Sequence, residues 1–246
     1  MYRLIIFLFV VVAIVAGIIY SVESRQNANA WRQSVINEEP NLQSMITQQN
    51  EEENGQETTS TPNADQAVPA KLTLDEKLQM APPAQIELIK GKKYGAVLHT
   101  TAGDIVVLFN SEEVPITVNN FIYLAKKGFF ADTPFHRTIK GFMIQGGDPK
   151  GDGTGGPNYR FQDEKFTGKY SRGIMAMANA GPDTNGSQFF IMHADYNLPP
   201  NYTIFGQVIK GLEVVDAIAV APVQSGGEGS TPMNPVKILS VEVIEE

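Results

Sequence analysis

The stretch FHRTIKGFMIQGGD, residues 135–148, sets one guanidinium, Arg137, among Phe135, Ile139, Phe142, Met143 and Ile144, with Gln145 close behind. A second stretch, MANAGPDTNGSQFFI at 177–191, combines the amides of Asn179 and Gln188 with Phe189 and Phe190. Neither holds an evident nucleophile beside a base, or a carboxylate pair for proton transfer. The other chemistries are weaker still. GDGTGG at 151–156 matches G-x-G-x-x-G, but Gly146-Gly147-Asp148-Pro149 precedes it instead of a strand and Pro157-Asn158-Tyr159 follows instead of a helix. Those glycines are read as a tight surface turn. His99, His136 and His193 show no H-x-x-x-H or H-E-x-x-H spacing, so no metal site is expected. His136, on the opposite face of its strand from Arg137, is read as a hydrogen-bonded structural group. G-x-S-x-G is absent and Ser187 has no base in sight, which argues against acyl transfer.

Composition narrows the class. The chain has 246 residues, 42% of them hydrophobic, enough to bury one substantial core. Its formal charge of −8 is uneven, because residues 33–70 carry Glu38, Glu39, Glu51, Glu52, Glu53, Glu57 and Asp65 and no Lys or Arg. Outside that segment 20 acids face 19 bases, which leaves no basic surplus for a nucleic-acid partner. With no cysteine, disulfides, thiolate chemistry and Cys-based zinc sites are excluded.

The elements that must position the two stretches follow from the pattern. Leu4 to Tyr20 is an uncharged, mostly aliphatic run of 17 residues after Arg3, the short end of a membrane span. Residues 1–24 are read as a single-pass anchor that leaves the rest of the chain extracytoplasmic at the cell membrane. The alternative is a signal peptide cleaved near Ala28-Asn29-Ala30, which would release a secreted protein. Residues 25–82 read as an acidic disordered linker with a short helix at 73–80 capped by Thr73 and stopped by Pro82-Pro83. Residues 83–246 form the folded domain. Within it, 96–109 suggests a hairpin about Thr-Ala-Gly-Asp. An amphipathic helix follows from Pro115, with Val118, Phe121, Ile122 and Ala125 on one face and Lys126-Lys127-Gly128 at its end. Short strands are predicted at 141–145, 174–178, 188–193, 203–208 and 236–243, and a second helix at Leu212 to Ala219. The expectation is a mainly β fold, a closed or nearly closed antiparallel sheet whose ends the helices cover.

FHRTIKGFMIQGGD, GTGG and MANAGPDTNGSQFFI, in this order and spacing, resemble a cyclophilin-type peptidyl-prolyl cis-trans isomerase over roughly residues 88–246. The resemblance implies a closed eight-stranded antiparallel barrel capped by two helices. It also implies an activity that suits a site without reagents, because rotating an X-Pro amide breaks no covalent bond. The barrier is amide resonance, and a guanidinium beside the prolyl nitrogen is stabilising only when the bond is twisted.

By similarity Arg137 is the catalytic group. Phe142, Met143, Phe190 and Leu198 are the proline slot; Gln145, Gln188, Ala178 and Asn179 grip the peptide backbone; Gly153 and Tyr202 are further ligand contacts. Spacing alone leaves core packing open for Phe142, Met143 and Phe190, and a surface salt bridge open for Arg137. Where cyclosporin-sensitive members carry Trp and then His, this chain has Asn197 and Tyr202, a departure that bears on cyclosporin binding more than on bond rotation. The implied partners are proline-containing polypeptides, met by a monomer with no cofactor. The competing expectation is a non-catalytic proline-peptide-binding or chaperone module on the same scaffold.

Overall fold

The computed structural model describes residues 71–225 and 230–246. The apolar run at 4–20 and the linker up to residue 70 lie outside the described residues. Among the described residues no helix is long and apolar enough to cross a membrane.

A two-residue turn starts the sheet. β1 (Tyr94–Thr100) pairs antiparallel with β2 (Gly103–Phe109), and the Thr100 hydroxyl locks the turn by donating to the Gly103 carbonyl at 2.6 Å and accepting from the Ala102 amide at 3.1 Å. The remaining strands are β3 (Arg137–Ile139), β4 (Met143–Gly146), β5 (Ile174–Met177), β6 (Phe189–Met192), β7 (Ile204–Lys210) and β8 (Ile238–Glu245). They form one antiparallel sheet in the order β3-β4-β6-β5-β7-β2-β1-β8.

The expected closure is corrected here. β3 and β8 are sheet edges, joined by an isolated bridge, Pro134↔Lys237, and by single backbone bonds such as Asp132 N–H to the Ile238 carbonyl and Phe135 N–H to the Val236 carbonyl. Pro134 has no N–H to give a ladder, and β3 is only 3 residues long, so the seam cannot zip up. The result is a curled half-barrel.

Period-two alternation assigns the strand side chains to two apolar clusters. Ile144, Met175, Met177, Phe189, Ile191 and Phe205 point into the main core, whereas Met143, Ala176, Phe190, Met192 and Ile204 form a second cluster. This explains why FFIM in β6 is apolar at every position: both of its faces are covered. The main core is aromatic. Phe121 stacks on Phe130 at 4.7 Å between ring centroids and meets Phe109, Phe189 and Phe205 within 5.7 Å.

Phe121 belongs to α2 (Pro115–Lys126), whose stripe Val118, Phe121, Ile122 and Ala125 is buried, as its spacing predicts. Its start is not capped locally. Val114 offers no side-chain bond, and the Glu164 carboxylate instead accepts from the Ile116 amide at 3.0 Å and the Thr117 amide and hydroxyl at 2.7 Å each. A loop carboxylate thus satisfies the orphan N–H groups that sequence-adjacent caps usually serve. α3 (Leu212–Ala219) lies where the sequence puts it and packs on β2.

Residues 71–82 are more than linker. α1 (Leu74–Leu78) starts at Thr73 with a full capping box to Glu76. Lys77 on α1 is buried, its Nζ donates to the Ala131 carbonyl, and Met80 packs against the main core. Burial pushes the Lys77 pKa down, against the pull of Asp132.

His136, just before β3, also departs from expectation. It is buried, and neither ring nitrogen has a hydrogen-bond partner among the described residues. Burial holds its pKa below the ordinary value, so the ring is neutral.

Two outcomes follow from these features. Glu164→Ala strips the start of α2 and lowers stability by about 1–3 kcal/mol, read as a lower denaturant midpoint; an unchanged midpoint overturns the capping role. For His136 the folded pKa lies below the unfolded one, so the unfolded state binds more protons. Stability therefore falls as pH drops below about 6.5 toward the depressed folded value. His136→Leu removes that component, so its melting temperature changes less than wild type between neutral and mildly acid pH; parallel losses refute the assignment.

Candidate functional site

Register builds the site before any side chain does. Arg137 lies opposite Gln145, Gln145 opposite Phe190, and Phe190 opposite Ala176, one row running across β3, β4, β6 and β5. The next row on the same face is Ile139, Met143 and Met192. The opposite face carries Thr138, Ile144, Ile191 and Met175 into the core. A one-residue slip in any of these strands would move Arg137 or Phe190 inward and dismantle the face.

Apolar walls surround the row. Met143 and Phe190 are buried in the second cluster, and Phe142, Ala178, Leu198 and Tyr202 pack against it half-exposed. Tyr202 stands edge-on to Phe190, with centroids 5.6 Å apart and planes at 83°. Tyr170 holds it there: the Tyr170 hydroxyl donates to the Tyr202 carbonyl at 2.9 Å and accepts from the Tyr202 amide at 3.1 Å. Burial is the main cause of the raised Tyr170 pKa, so this hydroxyl stays protonated. Phe142, at the other end of the face, lies 4.6 Å from the exposed ring of Tyr196.

An amide chain completes the polar side. Gln145 Nε2 donates to Gln188 Oε1 at 2.9 Å, and Gln188 Nε2 donates to the carbonyls of Gly153 at 3.0 Å and Gly155 at 2.9 Å. The loop reading of GDGTGG therefore holds, and this loop is tied to the site. The fully buried Asp148 shapes it from below, accepting from the amides of Lys150, Asp152 and Gly153. Asn179 is committed internally, with Nδ2 on the Asn201 carbonyl at 2.8 Å and Oδ1 accepting from the Gly181 amide.

The structure thus gathers Arg137, Phe142, Met143, Gln145, Gly153, Ala178, Asn179, Gln188, Phe190, Leu198 and Tyr202 into one region. Sequence reasoning missed Tyr170 and Ala176. Tyr170 sits in an irregular segment with no periodicity to mark it, and Ala176 looks like any small strand residue.

A concavity of roughly 200 Å³ bounded by Pro82, Pro83, Ile86, Ile116 and Phe161 contains none of these residues. Its polar groups already serve each other: Asn119 binds Glu87 and Gln85, and Asn120 binds Gly186 and Tyr159. It is a structural joint where residues 82–87 cross α2. Among the described residues no group of three or more His, Cys, Asp or Glu side chains could hold a metal ion.

What the face can do chemically is bounded. It carries the Arg137 guanidinium, amides and apolar side chains, a set that can bind an extended peptide and respond to charge redistribution at an amide.

Known proteins resemble the chain in sequence and in fold. Residues 96–243 match the family of cyclophilin type peptidyl-prolyl cis-trans isomerase/CLD. A probable peptidyl-prolyl cis-trans isomerase B of Mycobacterium tuberculosis is 43% identical over 198 residues, 73% of this chain and 61% of that protein. The chain thus spans less than two thirds of that relative's length. A peptidyl-prolyl cis-trans isomerase-like 3 of Dictyostelium discoideum is 43% identical over 152 residues, 59% of this chain and 92% of that protein. Among solved structures, a Cryptosporidium parvum cyclophilin type peptidyl-prolyl cis-trans isomerase superposes with a TM-score of 0.58 at 35% identity, covering 63% of this chain and 99% of its own. By the matched stretch and by these relatives, the chain belongs to the cyclophilin-type peptidyl-prolyl cis-trans isomerase family.

Proposed function

We propose that the chain accelerates cis-trans rotation of X-Pro bonds in polypeptides. The observation that carries this reading is the shared row of Arg137, Gln145 and Phe190, which puts a cation, an amide and an aromatic floor on adjacent strands. A related Cryptosporidium parvum enzyme, 36% identical, was solved in the presence of the dipeptide Ala-Pro, a ligand of the same chemistry.

The proline ring enters the slot of Phe142, Met143, Phe190 and Leu198, with Tyr202 as its edge. Gln145 and the main chain of Ala178 and Asn179 hold the peptide backbone, and Gln188 fixes Gln145 against the Gly153 loop. Free X-Pro bonds turn over in roughly tens to hundreds of seconds, because rotation must break amide resonance. At the twisted state the prolyl nitrogen becomes pyramidal and regains a lone pair. The Arg137 guanidinium donates to that lone pair, an interaction absent in the planar ground state, so it lowers the barrier instead of merely tightening binding. Each tenfold in rate requires about 1.4 kcal/mol, within reach of one or two charge-assisted hydrogen bonds held in place beforehand.

The same proposal extends to placement. Residues 4–20 anchor the chain, the acidic stretch to residue 70 tethers it, and the domain works outside the cytoplasm as a monomer on exported or unfolded chains. Support comes from the uninterrupted apolar run behind Arg3 and from a site assembled within one chain.

Arg137→Ala is expected to cut acceleration of proline-limited refolding by about 10²-fold while the melting curve stays within a few degrees of wild type. Equal rates for the two proteins would sink the catalytic reading and leave a proline-peptide binder. For placement, membranes carrying the full-length chain retain it through an alkaline wash; release into the soluble fraction with a new terminus near Trp31 refutes the anchor.

A further inference from the structure

The turn that carries Phe142 is fastened from one side. Ile139 to Phe142 closes on itself, with the Phe142 amide donating to the Ile139 carbonyl at 3.0 Å and Gly141 at φ +80°, a conformation that favours glycine. The Phe142 carbonyl then accepts from the His193 amide at 2.9 Å and the Ala194 amide at 3.4 Å. The His193 ring makes the third link, its Nδ1 accepting from the Gly141 amide at 3.0 Å.

The far side of the ring is fixed as well. His193 Nε2 faces Asp216 Oδ1 on α3 at 3.4 Å. Arg172 grips both Asp216 carboxylate oxygens and also donates to the His193 carbonyl at 2.8 Å. Arg172 is oriented in turn by its own amide bond to Asp195 at 2.7 Å. The Arg172 side chain beside Asp216 holds that carboxyl below its usual range, so Asp216 is an anion over the working pH.

We propose that His193 is a positioning residue for the isomerase site: a clasp that holds the 139–142 turn, and with it Phe142, against the proline slot. The inference rests on the proposed use of Phe142. It adds a residue that touches no substrate and belongs to neither of the stretches that define the site. Because Nδ1 accepts the Gly141 N–H, the ring carries its hydrogen on Nε2, toward Asp216.

The test uses full-length wild type, His193→Leu and His193→Asn, the last because its Oδ1 can stand where Nδ1 stands. Kinetics on a proline peptide are read alongside NMR exchange of the Gly141 amide. At neutral pH His193→Leu is expected to raise KM about fivefold with kcat little changed and to speed Gly141 exchange, in line with loss of one modest hydrogen bond. His193→Asn restores both. A wild-type KM and a protected Gly141 in His193→Leu overturn the clasp, as does a failure of Asn to rescue. If wild type itself does not accelerate isomerisation, the catalytic reading falls, and the Gly141 exchange series alone upholds or overturns the clasp.

Discussion

The constraint on which the rest depends is the two-residue period of the strands β3, β4, β6 and β5. Alternate side chains go to opposite faces, so the same four strands fill a hydrophobic core on one side and carry the row of Arg137, Gln145 and Phe190 on the other. Ile144 and Ile191 hold the register from inside by burial; Arg137, Gln145 and Phe190 are aligned outside as its consequence. Because any slip would expose the core residues, the free energy that stabilises the fold also fixes the geometry of the face.

That arrangement suits a reaction without reagents. Rotating an amide needs a group that responds to a transient lone pair, a slot that recognises one ring, and backbone contacts indifferent to sequence. Amides already bonded to each other, such as Gln145 and Gln188, lose little conformational freedom when a peptide arrives. The aromatic edge is rigid for a similar reason, since Tyr202 is bonded through both main-chain polar groups to a single buried hydroxyl.

Support for the site comes from far along the chain. The GDGTGG loop is pulled in by Gln188, α2 begins on a carboxylate from Glu164, and the Phe142 turn leans on His193 and Asp216. Such contacts leave no local mark. Val114, flanking the start of α2, offers no side-chain cap, and only folding brings Glu164 there. His136 looked like a hydrogen-bonded strand residue, yet it is buried with no hydrogen bond of ordinary geometry among the described residues, although the Pro134 backbone lies close enough to favour its charged form.

Sequence by itself determined the local elements and the family to which the chain belongs. The hairpin turn, the α2 stripe, the span of α3 and the Thr73 cap follow from side-chain pattern and capping, which act over a few residues. The two stretches around Arg137 and Gln188 carry enough side-chain identity to place the chain in its family. Tertiary structure alone decided what depends on contacts between distant segments. It left the barrel open at a seam where Pro134 cannot donate, packed residues 71–82 onto the core through Lys77 and Met80, and tied the Asn179 side chain to the Asn201 carbonyl. It also drew Tyr170 and His193 into the support of the site. Each of these is a hydrogen bond or a burial between groups far apart in the chain, and spacing along the sequence carries no record of which distant partner a side chain will meet.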